Sequence, residues 1–360
     1  MKVMLKVLVR VILVIVLSLA LFLVFLTVTE YRPEPVEAVE VIHNPTLSVQ
    51  PGAQLSFMTF NIGYAGLGAD EDFVLDGGQS GRPASRGVVE QYFAGIAELM
   101  AGYPSDFYLM QEVDLRARRS FNMDQVTALH EHLGETFHSA FALNFKAAFV
   151  PFPVSITDHI GHVESGLQTL AIYEADAATR YQFPGAFSWP LRVANLKRAM
   201  LVTTYSIENS DASLIVANLH MSAYDGDGSL RAQEMAFLRD FLVEMAEAGH
   251  YVVIGGDFNQ TFPGADRFPP RFDYYIAPVI EDDFLPEGFR FVFDDSVPTC
   301  RLLNQPYNPD DIEGTQYYII DGFIVSNNLR VDHVETIDHG FAYSDHNPVI
   351  MQVTLLDETP

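Results

Sequence analysis

Six short segments of the chain carry polar residues whose types and spacing could do chemistry. They are FNIGY with Asn61, LMQEVD with Glu112, NLHMSA with His220, GGDFN with Asp257 and Asn259, IIDGF with Asp321, and SDHNPV with Asp345 and His346. Carboxylate and amide oxygens suit a hard divalent cation, and histidine beside carboxylate suits proton transfer. The single cysteine, Cys300, excludes an intrachain disulfide and a cysteine-rich zinc site. A polar residue closing a strand is, taken alone, an ordinary strand terminator. Asn61, Glu112, His220 and Asp257 each close an apolar run, and four such residues point to one rim of a sheet, where ligands of α/β folds bind. Most of the eleven histidines, among them His130, His132 and His138 near a predicted helix, read as surface residues.

The elements that must position these residues follow from periodicity. Residues 55–61, 107–112, 167–173, 199–205, 214–220 and 251–257 read as strands rich in β-branched and aromatic residues. Residues 317–325 and 348–355 read as closing strands, and residues 88–101 as a helix. Residues 230–248 form a second helix with Met235, Leu238, Leu242 and Met245 on one face. No period of 20–50 residues repeats, which excludes solenoids and propellers. The pattern is one α/β domain of about 310 residues.

The N-terminus differs in character. Residues 11–28 are an uncharged apolar run preceded by Lys2, Lys6 and Arg10 and followed by Glu30, Glu34, Glu37 and Glu40. Such a run is long enough to cross a bilayer, and the positive-inside rule keeps residues 1–10 cytoplasmic and exports the remainder. The expectation is a signal anchor over 11–29, an extended Pro- and Glu-containing tether over 30–51, and a domain over 52–360. A cleaved signal peptide is the alternative, which would make the protein secreted. Across 360 residues the formal charge is −26, which argues against wrapping nucleic acid by bulk electrostatics and against a polybasic membrane-surface binder.

Taken in order, the six segments resemble the endonuclease/exonuclease/phosphatase superfamily, metal-dependent phosphoesterases of the deoxyribonuclease I type. The resemblance spans about residues 55–355. It implies a four-layer α/β/β/α sandwich with the site at one edge of two packed sheets. It also implies Mg²⁺, with Mn²⁺ as a substitute, held by Glu112 with Asn61 beside it and Asp345 as a further ligand. Asp257 would orient or deprotonate the attacking water, and Asn259 would donate its amide to a phosphate oxygen. His346 would pair with Asp321, and His220 would face the phosphate from the other side as general acid or charge stabiliser.

Departures from the family's subgroups narrow the reading. Gly63 stands where apurinic endonucleases carry an acidic residue, and the disulfide pair of secreted deoxyribonucleases is absent. The glycine-rich stretch 76–86 reads as a surface loop or a phosphate-covering loop, and Arg118 and Arg119 as substrate contacts or a solvated helix start. Asp225-Gly226-Asp227-Gly228 reads as a turn. The resulting expectation is a metal-dependent phosphoester hydrolase on the extracytoplasmic side of the membrane, acting on a lipid headgroup or other small phosphoester. A membrane-tethered nuclease is the first alternative, and an inactive binding domain on the same scaffold the second. No protein partner follows from the sequence.

Overall fold

The apolar runs are strands because helices or a second sheet cover them on both faces, which explains why they read as near-continuous hydrophobic stretches. The computed structural model describes residues 2–271, 274–311 and 313–356. In chain order its elements begin with α1 (Lys2–Val28), β1 (Val36–Val39), β2 (Val41–Ile42), β3 (Gln54–Asn61), α2 (Arg86–Gly102) and β4 (Phe107–Ala117). Next come α3 (Gln125–Leu133), β5 (His138–Val150), β6 (Gly161–Ala171), β7 (Ala177–Gln182), β8 (Ala199–Ser206) and β9 (Ser213–His220). Then follow α4 (Ser229–Glu247), β10 (Tyr251–Asp257), β11 (Phe289–Val292), β12 (Cys300–Arg301) and β13 (Tyr317–Tyr318). The chain closes with β14 (Asp321–Ser326), β15 (Leu329–Thr336) and β16 (Val349–Leu355).

Two seven-stranded mixed sheets result, ordered β1-β7-β8-β9-β10-β14-β11 and β15-β16-β3-β4-β6-β5-β2. Leu55, Phe57, Phe107 and Leu109 of one sheet meet Leu214, Val216, Val253 and Phe323 of the other in a shared core. The outer face of the first sheet packs Ile215, Leu219 and Ile254 against Leu238 and Leu242 of α4. The outer face of the second packs Met58, Phe60 and Met110 against Val89 and Ile96 of α2 and Leu129 of α3. This is the four-layer α/β/β/α sandwich that the resemblance implied.

Strand parity carries the site. Side chains alternate along a strand, so Leu214 and Val216 of β9, which face the second sheet, put Asn218 and His220 on the same face. The same count places Asp257 beyond Val253 on β10, Asp321 before Phe323 on β14 and Asn61 beyond Phe57 on β3. Register then aligns them: Asp257 lies opposite His220 on one side and Asp321 on the other. Beneath them a buried amide layer ties the sheets. Gln111 donates to Asn218 Oδ1 at 2.8 Å, and Asn218 donates to the carbonyls of Met110 and Gln168 at 3.1 Å each.

Several elements differ from the sequence reading. The single strand read over 317–325 is two, because the Thr299 hydroxyl accepts from Ile320 N and Asp321 N where the ladder breaks. His138 is not a surface residue beside a helix. It opens β5, fully buried, with Nε2 2.8 Å from the Tyr205 hydroxyl. Segment 30–51 supplies β1 and β2, which pair with β7 and β5 as edge strands of the two sheets. The N-terminal helix runs from Lys2 to Val28, and its C-terminal end touches the domain: Phe22 meets Phe149 edge-on, and Trp189 Nε1 donates to Thr27 Oγ1 at 3.1 Å.

Candidate active site

Asp257 is the hub of the rim. Its Oδ2 accepts from Asn61 Nδ2 at 3.1 Å and lies 3.3 Å from His220 Nε2 and 3.8 Å from His346 Nε2. Its Oδ1 accepts from the backbone of Asn259 at 2.8 Å. The tight turn after β10 that permits this places Asn259 at φ +51°, in the left-handed region an asparagine tolerates. The Asn259 side-chain amide donates to Met221 O at 2.9 Å, which clamps the chain leaving His220. Gly256, just before the hub, has φ +151°, and a Cβ there would lie 2.0 Å from Leu219 O, so only glycine fits.

His346 is oriented from behind. Its Nδ1 lies 2.8 Å from Asp321 Oδ2, which sets Nε2 toward Asp257 and Asn61. Asn61 is fixed in turn, its Oδ1 accepting from Gly63 N at 3.0 Å. Ser344 stitches the last motif to the first by donating to Asn61 O at 2.8 Å. Asp345 Oδ2 lies 3.9 Å from His346 Nε2. Glu112 lies within a bulge of β4 at φ +54°, which breaks the strand parity and turns its carboxylate to within 3.7 Å of Arg119.

Seven of the eight expected site residues therefore line one cavity of about 690 Å³, and Asp321 stands behind His346 outside it. Two compact donor clusters form there, Asp257 with Asp321 and His346, and Cys300 with Asp345 and His346. Glu112 lies outside both clusters.

Burial sets the protonation states. It pushes Asp257 up to about 7, assisted by Asp321 and opposed by His346. It pushes Asp345 up to about 7 as well, with Glu112 adding to the rise. His346 is held well above the ordinary histidine range: burial opposes its charge, but Asp321, Cys300 and Asp345 outweigh that. His220 is driven the other way, well below that range, by burial and by the cations Arg198 and His346. The two histidines are thus shifted in opposite directions, His346 toward its charged form and His220 toward its neutral form. An oxygen-rich pocket that holds its carboxylates this high is one in which a hard divalent cation would offset the crowding of negative charge, so the residues fit a metal of that class.

Sequence reasoning missed Glu234 here and saw Arg119 and Arg198 only as members of basic pairs, Arg118-Arg119 and Lys197-Arg198. Arg198, just before β8, faces the cavity, and its buried Nη1 has no hydrogen-bond partner. Glu234 of α4 accepts from Ser222 N at 2.9 Å and from Ser222 Oγ at 2.6 Å, bracing the loop after His220. Arg119 is buried: it donates to Asp114 at 3.0 and 3.2 Å, and its guanidinium lies 3.8 Å from the Tyr64 ring centre. It is not a solvated helix start; it lines the cavity beside Glu112. The signal for Arg119 was the buried-looking Asp114 five residues earlier. Of the glycine-rich stretch 76–86 only Asp76 lines the cavity, bonded to the Tyr224 hydroxyl and Leu303 N. The 225–228 segment is the expected turn, with Asp225 accepting from Leu230 N and Arg231 N at the start of α4.

Comparison with known proteins agrees with this architecture. A sequence profile of the Endonuclease/Exonuclease/phosphatase family matches residues 58–346. No curated protein sequence matches the chain. Among solved structures, an endonuclease/exonuclease/phosphatase from Beutenbergia cavernae superposes with TM-score 0.56 at 17% identity, over 84% of this chain and 72% of that one. The human Nocturnin catalytic domain with bound sulfate gives TM-score 0.53 at 15% identity, over 88% and 97%. ANGEL2, a 2′,3′-cyclic phosphatase, gives 0.52 at 14% identity, over 90% and 99%. With its ordered motifs, its two-sheet sandwich and its profile match over most of its length, the chain belongs to the endonuclease/exonuclease/phosphatase family.

Proposed function

We propose that the protein is a divalent-metal-dependent phosphodiester hydrolase held by α1 on the extracytoplasmic face of a membrane. It acts on a lipid headgroup or another small phosphoester. The observation that carries this reading is the convergence of Asp257, Asn61, His220 and an Asp321-oriented His346 on one cavity that Arg198, with its Nη1 free of any hydrogen-bond partner, also lines. Together they meet the needs of the reaction: neutralise phosphate, take a proton from water and give one to the leaving oxygen.

In this mechanism Arg198 receives a phosphate oxygen, and neutral His220 adds a hydrogen bond. Asp257, held in place by Asn61 and Asn259, takes the proton of the attacking water as its oxygen bonds phosphorus. His346, kept protonated by Asp321, passes its Nε2 proton to the oxygen that departs with the bond electrons. Asn61, Glu112 and Asp345 would hold Mg²⁺, or Mn²⁺ in its place. When bound, the metal supplies Lewis-acid stabilisation of the phosphate charge.

Accounting for the basic residues disfavours the nuclease alternative. Arg118 donates to the carbonyls of His159 and Thr157, and Arg119 is buried against Asp114. Lys197 pairs with Glu30 at 2.9 Å. Three arginines, Arg119, Arg198 and Arg301, line the cavity, and Arg119 is held by Asp114 and Arg301 by the carbonyls of Gln305 and Gly68, so the cations form a closed cluster and not the strip that a polymer backbone needs. The test follows product release from phospholipid vesicles and from plasmid DNA with Mg²⁺, using the full chain and its Asp257→Ala variant. Lipid cleavage lost in the variant supports the reading, and nicked plasmid with intact lipid replaces it with the nuclease.

A further inference from the structure

The catalytic cavity does not end at the catalytic residues. It continues as an apolar corridor, walled by Phe145, Ile160, Phe183 and Val193, to Phe22, Leu23 and Leu26 in the last two turns of α1. A soluble phosphoester has no use for such a channel, since ligand sites pair a few polar groups with apolar walls matched to the ligand's own apolar part. At this end the helix meets the domain through Phe22 on Phe149 and Thr27 on Trp189. Of α1, only Leu26 is buried, while residues 2–21 are almost wholly exposed.

The loops flanking that end are apolar and uncovered. Val154 is 97% exposed, Ile156 93%, Leu191 67% and Trp189 53%. Trp189 is the chain's only tryptophan and is hydrogen-bonded to Thr27 of the helix. Tryptophan at the end of a membrane helix, with neighbouring exposed aliphatics, is the composition of a surface that sits in the interfacial zone of a bilayer. Helix, loops and corridor mouth are therefore continuous, with the catalytic rim at the inner end.

We propose that the substrate is a phosphoester carrying a hydrocarbon tail, drawn from the outer leaflet along α1, and that Phe22, Leu23 and Leu26 form one wall of its tail-binding corridor. The proposal rests on the phosphoester-hydrolase reading and adds the anchor as part of the substrate site. Loss of the helix would then remove substrate binding as well as location.

The first test measures kcat/KM of the full chain in detergent on p-nitrophenyl alkyl phosphodiesters, from methyl to dodecyl. The expected rise is up to about fourfold per methylene until the corridor is filled. Leu23→Trp should lower kcat/KM on the dodecyl ester at least about tenfold more than on the methyl ester, since it fills the space the tail would occupy. An equal chain-length slope in wild type and variant overturns the corridor while leaving hydrolysis standing. Failure to hydrolyse any member, the methyl ester included, counts instead against the hydrolase reading.

A second measurement is independent of activity and of that variant's folding. The full chain is reconstituted with a phosphatidylcholine bearing a tail diazirine, irradiated and mapped by mass spectrometry. Adducts on Phe145 and Phe183, which a bilayer lipid cannot reach from outside the corridor, are the expected result. Adducts confined to residues 11–21 would overturn the proposal.

Discussion

Replacing Arg119 by methionine removes a charge without much change in length, and the structure sets its consequence. Asp114, fully buried, loses a bidentate partner at 3.0 and 3.2 Å and keeps only the Ser120 hydroxyl at 2.7 Å. Breaking a buried ion pair from one side costs about 3–5 kcal/mol. The guanidinium over Tyr64 at 3.8 Å adds a desolvated cation–π contact worth up to about 2 kcal/mol. Glu112, 24% exposed, can turn to water, and contacts sharing one group do not sum, so the expected loss is about 4 kcal/mol. Urea unfolding of the full chain in detergent measures it. Removing the second charge as well, in the Arg119→Met/Asp114→Leu double variant, should restore at least about 2 kcal/mol. A single variant within about 1 kcal/mol of wild type would refute the reasoning, because Arg119 would then be free to meet substrate and the argument against a polynucleotide substrate would lose its footing.

The other predictions concern charge and protons. Asp321→Asn should cut kcat about 10²–10⁴-fold with KM little changed, since it removes the group that orients and charges His346; steady-state kinetics with Mg²⁺ decide it. Arg198→Met should raise KM and lower kcat/KM at least about 10²-fold, which titration with a phosphodiester substrate would show. His138 is held down to about 4 by burial, so the folded state prefers it neutral. Acidification from the unfolded value near 6.5 toward 4 therefore favours the unfolded chain, by about 2 kcal/mol at pH 5. His138→Gln should remove that part of the pH dependence, and matching wild-type and variant slopes between pH 7.5 and 5 would contradict it.

The legible part of the site was the part carried by strand parity. Asn61, His220 and Asp257 end strands that are apolar at most positions, so the sequence shows both the strand and its terminus. What escaped depends on contacts between distant segments. His138 lies buried because Tyr205, 67 residues away, gives its ring a partner. The strands Val36–Val39 and Val41–Ile42 lie among prolines and glutamates and exist because two sheet edges need covering. The tilt of Glu112 into the cavity comes from a bulge at φ +54°, and nothing in LMQEVD announces it. Arg198 looked like one of a basic pair. Only the fold separates it from Lys197, which turns to Glu30 while Arg198 faces the cavity.

The central claim is that this rim hydrolyses a phosphodiester with a bound divalent metal. Its most direct test is the rate of p-nitrophenol release from bis(p-nitrophenyl) phosphate by the full chain, with Mg²⁺, with EDTA, and in the His346→Asn variant. The account predicts turnover that saturates with Mg²⁺, vanishes with EDTA and falls at least about 10²-fold in the variant. Release that is absent, or equal across metal, chelator and variant, would contradict it.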